Sequence, residues 1–361
     1  MNFRMPVVIS DFLSKKVVSI DIGSYETKVV EGKQTSKGIV IDKYFSFFTP
    51  EGIYENGYIK DKELLYHLLK DQLKKNKVTS DIVYITVKSS LIITREITLP
   101  NLGEEEINGI LKYQLDDYIP VDPEDFVVQY IPIGKIEEEG DTKLNILLIA
   151  IPKQIVESHY ELLKDLELKP FILDFQSNGI TKLLNYNSLI NGRYSTEDLT
   201  VAIIDLGFDN TNVTITKNGA MQVSRTIETG GNDLNTNILN FFEYTKSQVE
   251  EKKRNIENIA KLEDEYTDEN RFVNIVKTSI KGIMDKIDTI FRYYYSREKG
   301  NDVKLILLNG GLSNIDGIDS LFSNYYNIPT VRIERLDKIF FSEDLNKYIN
   351  CIGSLIRIEE Q

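Results

Sequence analysis

Residues 17–33 read VVSIDIGSYETKVVEGK, and residues 201–217 read VAIIDLGFDNTNVTITK. Laid on each other without a gap, they share Val17/Val201, Ile20/Ile204, Asp21/Asp205, Gly23/Gly207, Thr27/Thr211, Val29/Val213 and Lys33/Lys217. Each copy is an apolar run that ends in Asp-x-Gly, turns through small or polar residues, and leaves as a second apolar run. That is the pattern of a β-hairpin with a carboxylate at its bend. One such hairpin is an ordinary turn; the gapless duplication points to one building block used twice.

The bend is where chemistry enters. Glycine lets the backbone come close to a ligand, and turn N–H groups can cradle phosphate oxygens. A carboxylate beside such a turn repels bare phosphate. It is accounted for by a Mg²⁺ ion between the two, held mostly through water because that ion keeps much of its hydration shell.

Bulk properties narrow the field. A chain of 361 residues with 41% apolar content suits two domains with an inserted third. The formal net charge of −13 disfavours nucleic acid, which needs a basic face, and direct binding to anionic lipid. Cys351 is the one cysteine, so no internal disulfide forms and a reducing compartment is expected. His67 and His159 lie on charged helical stretches and are expected at the surface or on a helix flank, which leaves no basis for His-based catalysis or a His/Cys metal site. No apolar run reaches membrane-spanning length. Residues 1–16 carry Asp11 before any cleavage-like site and are expected to be a flexible leader rather than a signal peptide.

Along the chain, the first hairpin continues into a third strand at 38–48. A helix follows at 61–77, then a strand pair at 81–88 and 91–99 closed by Pro100. Composition then shifts to a helix–strand–strand–helix–strand block, read as an inserted subdomain over 100–174 after a first lobe at 17–99. A crossing helix and polar linker fill 175–198, and the second lobe spans 199–340. Within that lobe an acidic loop at 261–270 precedes a long amphipathic helix at 271–298. A C-terminal helix within 341–361 is expected to pack back on the first lobe.

Five elements now stand in one order: Asp21-Ile-Gly-Ser-Tyr-Glu-Thr-Lys28, Asp205-Leu-Gly-Phe-Asp-Asn-Thr211, Gly230-Gly231, Glu250-x-x-Lys253-Arg254, and Asn309-Gly310-Gly311 with Gly317. That order resembles the ATPase fold of actin, heat-shock chaperones and sugar kinases, a two-lobed, ribonuclease H-like α/β architecture, here with an inserted small α+β subdomain. The resemblance implies that ATP binds with Mg²⁺ between the lobes. Asp21 and Asp205 would face the ion, with Gly23, Ser24 and Gly207 as backbone donors to phosphate and Tyr25 and Asp209 flanking them. Lys28 matches the position of a phosphate-contacting lysine in actin. Glu250, Lys253 and Arg254 match the helix face that holds ribose and adenine, and Gly230, Gly231, Gly310 and Gly311 match the glycine turns about the nucleotide. Gln176 and Asp174 fall in the region where a water-polarising residue is expected.

An extra subdomain between the first lobe and the crossing helix is similar to the cell-division protein FtsA and the pilus-assembly protein PilM. The PilM family is the nearer resemblance, through Ile20-Asp-Ile-Gly-Ser24, Lys28-Val-Val-Glu31, Leu99-Pro100 before an acidic helix, Tyr118-Ile-Pro120, Leu148-Ile-Ala-Ile-Pro-Lys153 and Gly230-Gly-Asn-Asp233. FtsA ends in a membrane-binding amphipathic helix, and none is read in the sequence up to Gln361. The resemblance thus implies a cytoplasmic scaffold of a type IV pilus machine. It would bind the N-terminal peptide of a PilN-like single-pass membrane protein in a groove beside the inserted subdomain, and that partner would recruit it to the inner face of the membrane. Contacts with other pilus components and self-association fit the same reading. The alternatives are an FtsA-like polymer-forming division protein and a small-molecule kinase. Phe208 and Asp209 stand where PilM relatives have small residues, and Phe208 is expected to crowd the phosphate turn, so that hydrolysis is weak or absent even with nucleotide bound. Asn309 stands where they have small or hydroxyl residues, a change that a ligand tolerates.

Overall fold

The computed structural model describes residues 15–120, 122–138, 140–261 and 267–357. Nearly all of the expected leader, the middle of the acidic loop and the last four residues lie outside these.

The chain opens with β1 (Val17–Ile22), β2 (Glu26–Thr35) and β3 (Gly38–Phe48), then a small hairpin of β4 (Tyr54–Glu55) and β5 (Tyr58–Ile59) before α1 (Lys62–Lys75). Next come β6 (Ile82–Val87), β7 (Ile93–Pro100), α2 (Glu104–Tyr118), β8 (Phe126–Glu138), β9 (Asp141–Pro152), α3 (Lys153–Asp165), β10 (Lys169–Phe175) and α4 (Gln176–Tyr186). A second small hairpin, β11 (Leu189–Ile190) and β12 (Tyr194–Ser195), leads to β13 (Thr200–Leu206), β14 (Thr211–Lys217) and β15 (Ala220–Ile227). The remainder is α5 (Gly231–Leu239), α6 (Lys246–Arg254), α7 (Asp268–Arg297), β16 (Leu305–Asn309), α8 (Ile318–Tyr326), β17 (Thr330–Arg332), β18 (Ile339–Phe340) and α9 (Leu345–Leu355).

The two hairpins nucleate two large sheets of the same plan, with strand orders β10-β6-β1-β2-β3-β18 and β15-β14-β13-β16-β17. In each, the first strand of the repeat pairs antiparallel with its hairpin partner and parallel with a later strand: β1 with β2 and β6, β13 with β14 and β16. Every residue of β1 and of β13 is buried, as strands covered on both faces require. The layer between the sheets is filled by α4 and α9. Ile180, Leu183, Ile349 and Ile352 pack there with Val17 and Val30 of the first sheet and Val201, Ile203, Leu305 and Leu307 of the second. The two helices touch at a glycine pair, since a Cβ on Gly353 would lie 2.5 Å from the Gly179 carbonyl oxygen.

Three expectations need correction. The stretches read as a strand pair, 81–88 and 91–99, do not pair with each other. Strand β6 runs parallel to β1 and β10, whereas β7 pairs with β9 in a separate three-stranded sheet, β7-β9-β8, backed by α2. Alternating apolar residues mark both as strands but say nothing about partners. For the same reason β10, read as the end of the small block, belongs to the first large sheet, and α3 packs Leu162 and Leu163 against α1 and β1. His159 is not on a surface but fully buried, its Nε2 3.2 Å from the Tyr54 hydroxyl and its Nδ1 2.7 Å from the Ile155 carbonyl. Burial pulls its imidazole down to a pKa of about 4. His67 is exposed.

Candidate functional site

The two Asp-x-Gly bends share one geometry. A Cβ on Gly23 would lie 2.7 Å from the Glu26 carbonyl oxygen, and a Cβ on Gly207 would lie 2.7 Å from the Asn210 carbonyl oxygen. Glycine is required at both because the turn folds its own carbonyl over that face. Cross-strand register then fixes what surrounds each carboxylate. Asp21 stands opposite Lys28 on one side and Thr86 on the other; Asp205 stands opposite Asn212 and Asn309.

A chain of amides links the two carboxylates, both nearly fully buried. Asn350 on α9 donates to Asp21 Oδ2 at 3.2 Å, and Gln176, the first residue of α4, donates to Asn350 Oδ1 at 3.3 Å and to Asp205 Oδ2. Burial raises the pKa of Asp21 despite the opposing pull of Lys28 and Asn350, and the Asp205 charge adds to the rise. Burial acts against the Lys28 ammonium, but Asp21, Glu26 and Asp205 outweigh it and hold its pKa above the usual lysine value. The Lys88 ammonium, just beyond the end of β6, lies 3.3 Å from Asp205 Oδ2 and 3.2 Å from the Asn210 carbonyl oxygen.

The mouth of the cleft is closed by contacts between the two bends. The Tyr25 ring packs on Phe208 at 4.9 Å between centroids and edge-on to Phe48 at 5.1 Å. Ser24 hydrogen-bonds Asp209, which lowers that carboxyl's pKa, but its burial has the larger effect and the net shift is upward. Further out, Ser90 donates to Glu228 at 2.6 Å and Lys246 pairs with Glu51 at 2.6 Å.

The glycine turns of the second lobe serve this bend. The N–H of Gly231 donates to the Gly207 carbonyl at 3.0 Å and that of Asn232 to the Phe208 carbonyl at 2.8 Å, so the start of α5 sits on the turn. A Cβ on Gly230 would lie 2.4 Å from the Phe208 oxygen. Gly310, at φ 86° and ψ 170°, leaves room for the carboxylate itself, since a Cβ there would lie 2.1 Å from Asp205 Oδ1. Gly311 differs, because a Cβ there would meet open space. On α6, Glu250 Oε1 accepts from Lys253 at 2.7 Å and from Asn235 of α5 at 2.9 Å, with Lys253 buried and Arg254 exposed. Burial pulls the Lys253 ammonium below its usual pKa against the opposing effect of Glu250.

Two expected roles change. Gly207 was read as a phosphate donor, but its N–H is spent on the Asn210 carbonyl at 3.1 Å. Asp174, placed with Gln176 in the water-polarising region, has both oxygens taken, one by Asn178 at 2.8 Å and the other by Lys182 at 2.5 Å. Its pKa falls despite burial because Lys182 and Arg357 lie close. Gln176 alone of that pair joins the aspartates. Sequence reading missed Lys88, Asn350, Asn210 and Asn235. Only Lys88 carried a signal, a charged residue at the carboxyl end of a parallel strand, the edge where α/β sheets bind ligands.

A cavity of about 260 Å³ opens on the far side of Lys88 and Gln176, two partners of Asp205, and is lined also by Ser90, Thr94, Ser177 and Thr226; neither aspartate lines it. Gln176 Oε1 and Asn309 Oδ1 are buried near the carboxylates without a hydrogen-bond partner. Among the described residues no group of three or more metal-ligating side chains occurs. Mg²⁺ is commonly held by one or two carboxylates together with water and phosphate, so a pair of aspartates with spare amide oxygens fits that ion.

The family model for the type IV pilus assembly protein PilM matches residues 19–349. The chain belongs to the PilM family. A solved PilM-PilN type IV pilus biogenesis complex is similar over 94% of this chain and 98% of the matched chain, with a TM-score of 0.77 and 18% identity. MreB5 of Spiroplasma citri, solved bound to ADP, is similar over 94% of both chains with a TM-score of 0.53 and 14% identity. These likenesses give this PilM-family chain the actin-like ATPase fold. The cell division protein FtsA of Staphylococcus epidermidis is 28% identical over 244 residues, 61% of this chain. The chain spans about half the length, 50%, of that relative. No helix among the described residues is long and apolar enough to cross a membrane.

Proposed function

We propose that this chain binds ATP with Mg²⁺ between its lobes and acts as a scaffold at the cytoplasmic face of a type IV pilus machine. The observation that carries the reading is the paired bend: Asp21 and Asp205, from two copies of one hairpin, joined through Gln176 and Asn350. In this reading the aspartates hold the hydrated ion, which neutralises phosphate charge, and Lys28 faces the phosphates. Gly23 and Ser24 supply the backbone approach. The Glu250–Lys253–Asn235 cluster and Gly311 border the nucleoside. The Tyr25–Phe208 contact joins the two bends, so nucleotide enters by parting the lobes there. The same contact favours slow turnover.

The partner in this proposal is the N-terminal peptide of a PilN-like membrane protein, seated beside the β7-β9-β8 sheet and recruiting the chain to the membrane. Its support is family membership together with the likeness to a solved PilM-PilN complex. Titration with an ATP analogue and Mg²⁺ tests the first half; heat on injection is expected from wild type and its loss from Asp21→Asn. A pull-down with the PilN-like tail from the same genome tests the second, and absence of binding with and without ATP would sink it. The likeness to FtsA supports one rival, a polymer-forming division protein, which predicts robust sedimentation with ATP on liposomes.

A further inference from the structure

We propose that Lys88 is a second phosphate-binding lysine of the nucleotide site, serving the Asp205 bend as Lys28 serves the Asp21 bend; this rests on the nucleotide reading above. The two hairpins are alike in fold but not in charge. Where the first copy has Lys28 opposite Asp21, the second has Asn212 opposite Asp205. Lys88 supplies the missing charge from the other lobe.

Its place over the second glycine supports this. The Lys88 Nζ lies 2.6 Å from where a Cβ on Gly207 would be, and the Lys28 Nζ lies 3.8 Å from the corresponding point on Gly23. Each bend thus has an ammonium on the face that its glycine leaves open. An ammonium has three donors. Among the described residues Lys88 has two acceptors, Asp205 Oδ2 and the Asn210 carbonyl oxygen, leaving one donor for a ligand oxygen. Lys88 shares Asp205 Oδ2 with Gln176, the residue that links the two aspartates.

Charge balance points the same way. With Lys28 alone, two aspartates against one lysine leave the bends net negative, and a magnesium nucleotide, itself still anionic, is repelled. Lys88 gives each of the paired aspartates an ammonium and so lessens the negative charge, to which Glu26 and Asp209 of the same bends also contribute. The rival role is a plain clasp between lobes, with Lys88 holding Asp205 and competing with the ligand. The two roles predict opposite signs when the charge is removed.

The first test uses the wild-type chain with Mg²⁺ and an acyl-phosphate derivative of ATP. A lysine amine near the phosphates attacks the acyl carbon, an amide forms, the bond from carbonyl carbon to phosphate oxygen breaks, and the nucleotide leaves with that electron pair while the amine proton goes to solvent. Peptide mass spectrometry is expected to find the acyl group on both Lys28 and Lys88, suppressed by excess ATP. Labelling of Lys28 without Lys88 overturns the proposal and leaves nucleotide binding standing. ATP-protected labelling of neither lysine overturns both.

The second test is titration with AMP-PNP and Mg²⁺. Lys88→Gln is expected to weaken binding about tenfold, the size of one lost charge-assisted contact, and Lys88→Arg to stay within about threefold of wild type. Unchanged or tighter binding by Lys88→Gln establishes the clasp and overturns the phosphate role.

Discussion

Replacing Gly310 with alanine tests the packing of the site without replacing a charged residue. At φ 86° and ψ 170°, Gly310 lies in a region of backbone space open almost only to glycine, where any other residue costs about 1–3 kcal/mol. The new methyl would also lie 2.1 Å from Asp205 Oδ1 and 2.6 Å from the Leu206 carbonyl oxygen. Asp205 has to move, and it cannot do so while keeping the bonds from Gln176 and Lys88. Losing one charge-assisted bond in a buried place costs about a further 1–3 kcal/mol. A total of about 3 kcal/mol corresponds to a fall of about 6–12 °C in the Tm of a cooperative unit of roughly 150–250 residues. The assay is thermal melting by circular dichroism without nucleotide, with Gly311→Ala alongside, because a Cβ at Gly311 meets nothing within 4 Å. Gly311→Ala should melt within about 2 °C of wild type yet weaken ATP-analogue binding. If Gly310→Ala also melts within about 2 °C of wild type, the inferred crowding at Asp205 is wrong.

Three further outcomes follow from the same structure. Because the folded pKa of His159 is about 4 against an ordinary value of 6.5, its neutral form contributes stability that is complete above about pH 6.5 and lost as pH falls toward 4, amounting to about 3 kcal/mol; denaturant titrations at pH 7 and pH 4 should show that loss in wild type and much less of it in His159→Gln. Glu31 is fully buried, pairs with Lys43 at 2.8 Å and accepts from Thr79 and Ser80. Burial opposes its charge, but Lys43 and these donors outweigh it and lower its pKa, so its contribution is present at neutral pH and lost on acidification. Glu31→Gln should cost about 2 kcal/mol at pH 7 in urea melts, with the gap from wild type narrowing below pH 4. Removing the Tyr25–Phe208 contact with Phe208→Ala should forfeit about 0.5–1.5 kcal/mol of cleft closure and speed association of a fluorescent ATP analogue by roughly two- to tenfold in stopped flow, and slower association would count against the contact as a gate.

Much of the architecture was legible because a repeated hairpin is local information. The alternation in 17–33 and 201–217, the Asp-x-Gly bends and the cross-strand pairing of Asp21 with Lys28 all depend on residues within one turn of each other. The helices at α1 and α7 announced themselves by apolar spacing, and the order of the glycine turns fixed the family resemblance. That order also pointed to Asp21, Lys28, Asp205 and Gly310 as residues of one cleft.

What the tertiary structure decided is everything that depends on residues far apart in the chain. Strand alternation cannot say that β6 and β7 part company into different sheets, or that β10 returns to pair with β6. Helical spacing cannot say that His159 faces Tyr54 rather than water. Within the cleft, sequence position offered Asp174 alongside Gln176 as a candidate to polarise water, and folding gave both its oxygens to Lys182 and Asn178. The same folding carried Lys88 across to Asp205, and Asn350 from the far end of the chain to Asp21. Hairpins are set by neighbours in sequence, whereas the charge and hydrogen-bond balance of a site between two lobes is set by which surfaces those hairpins bring face to face.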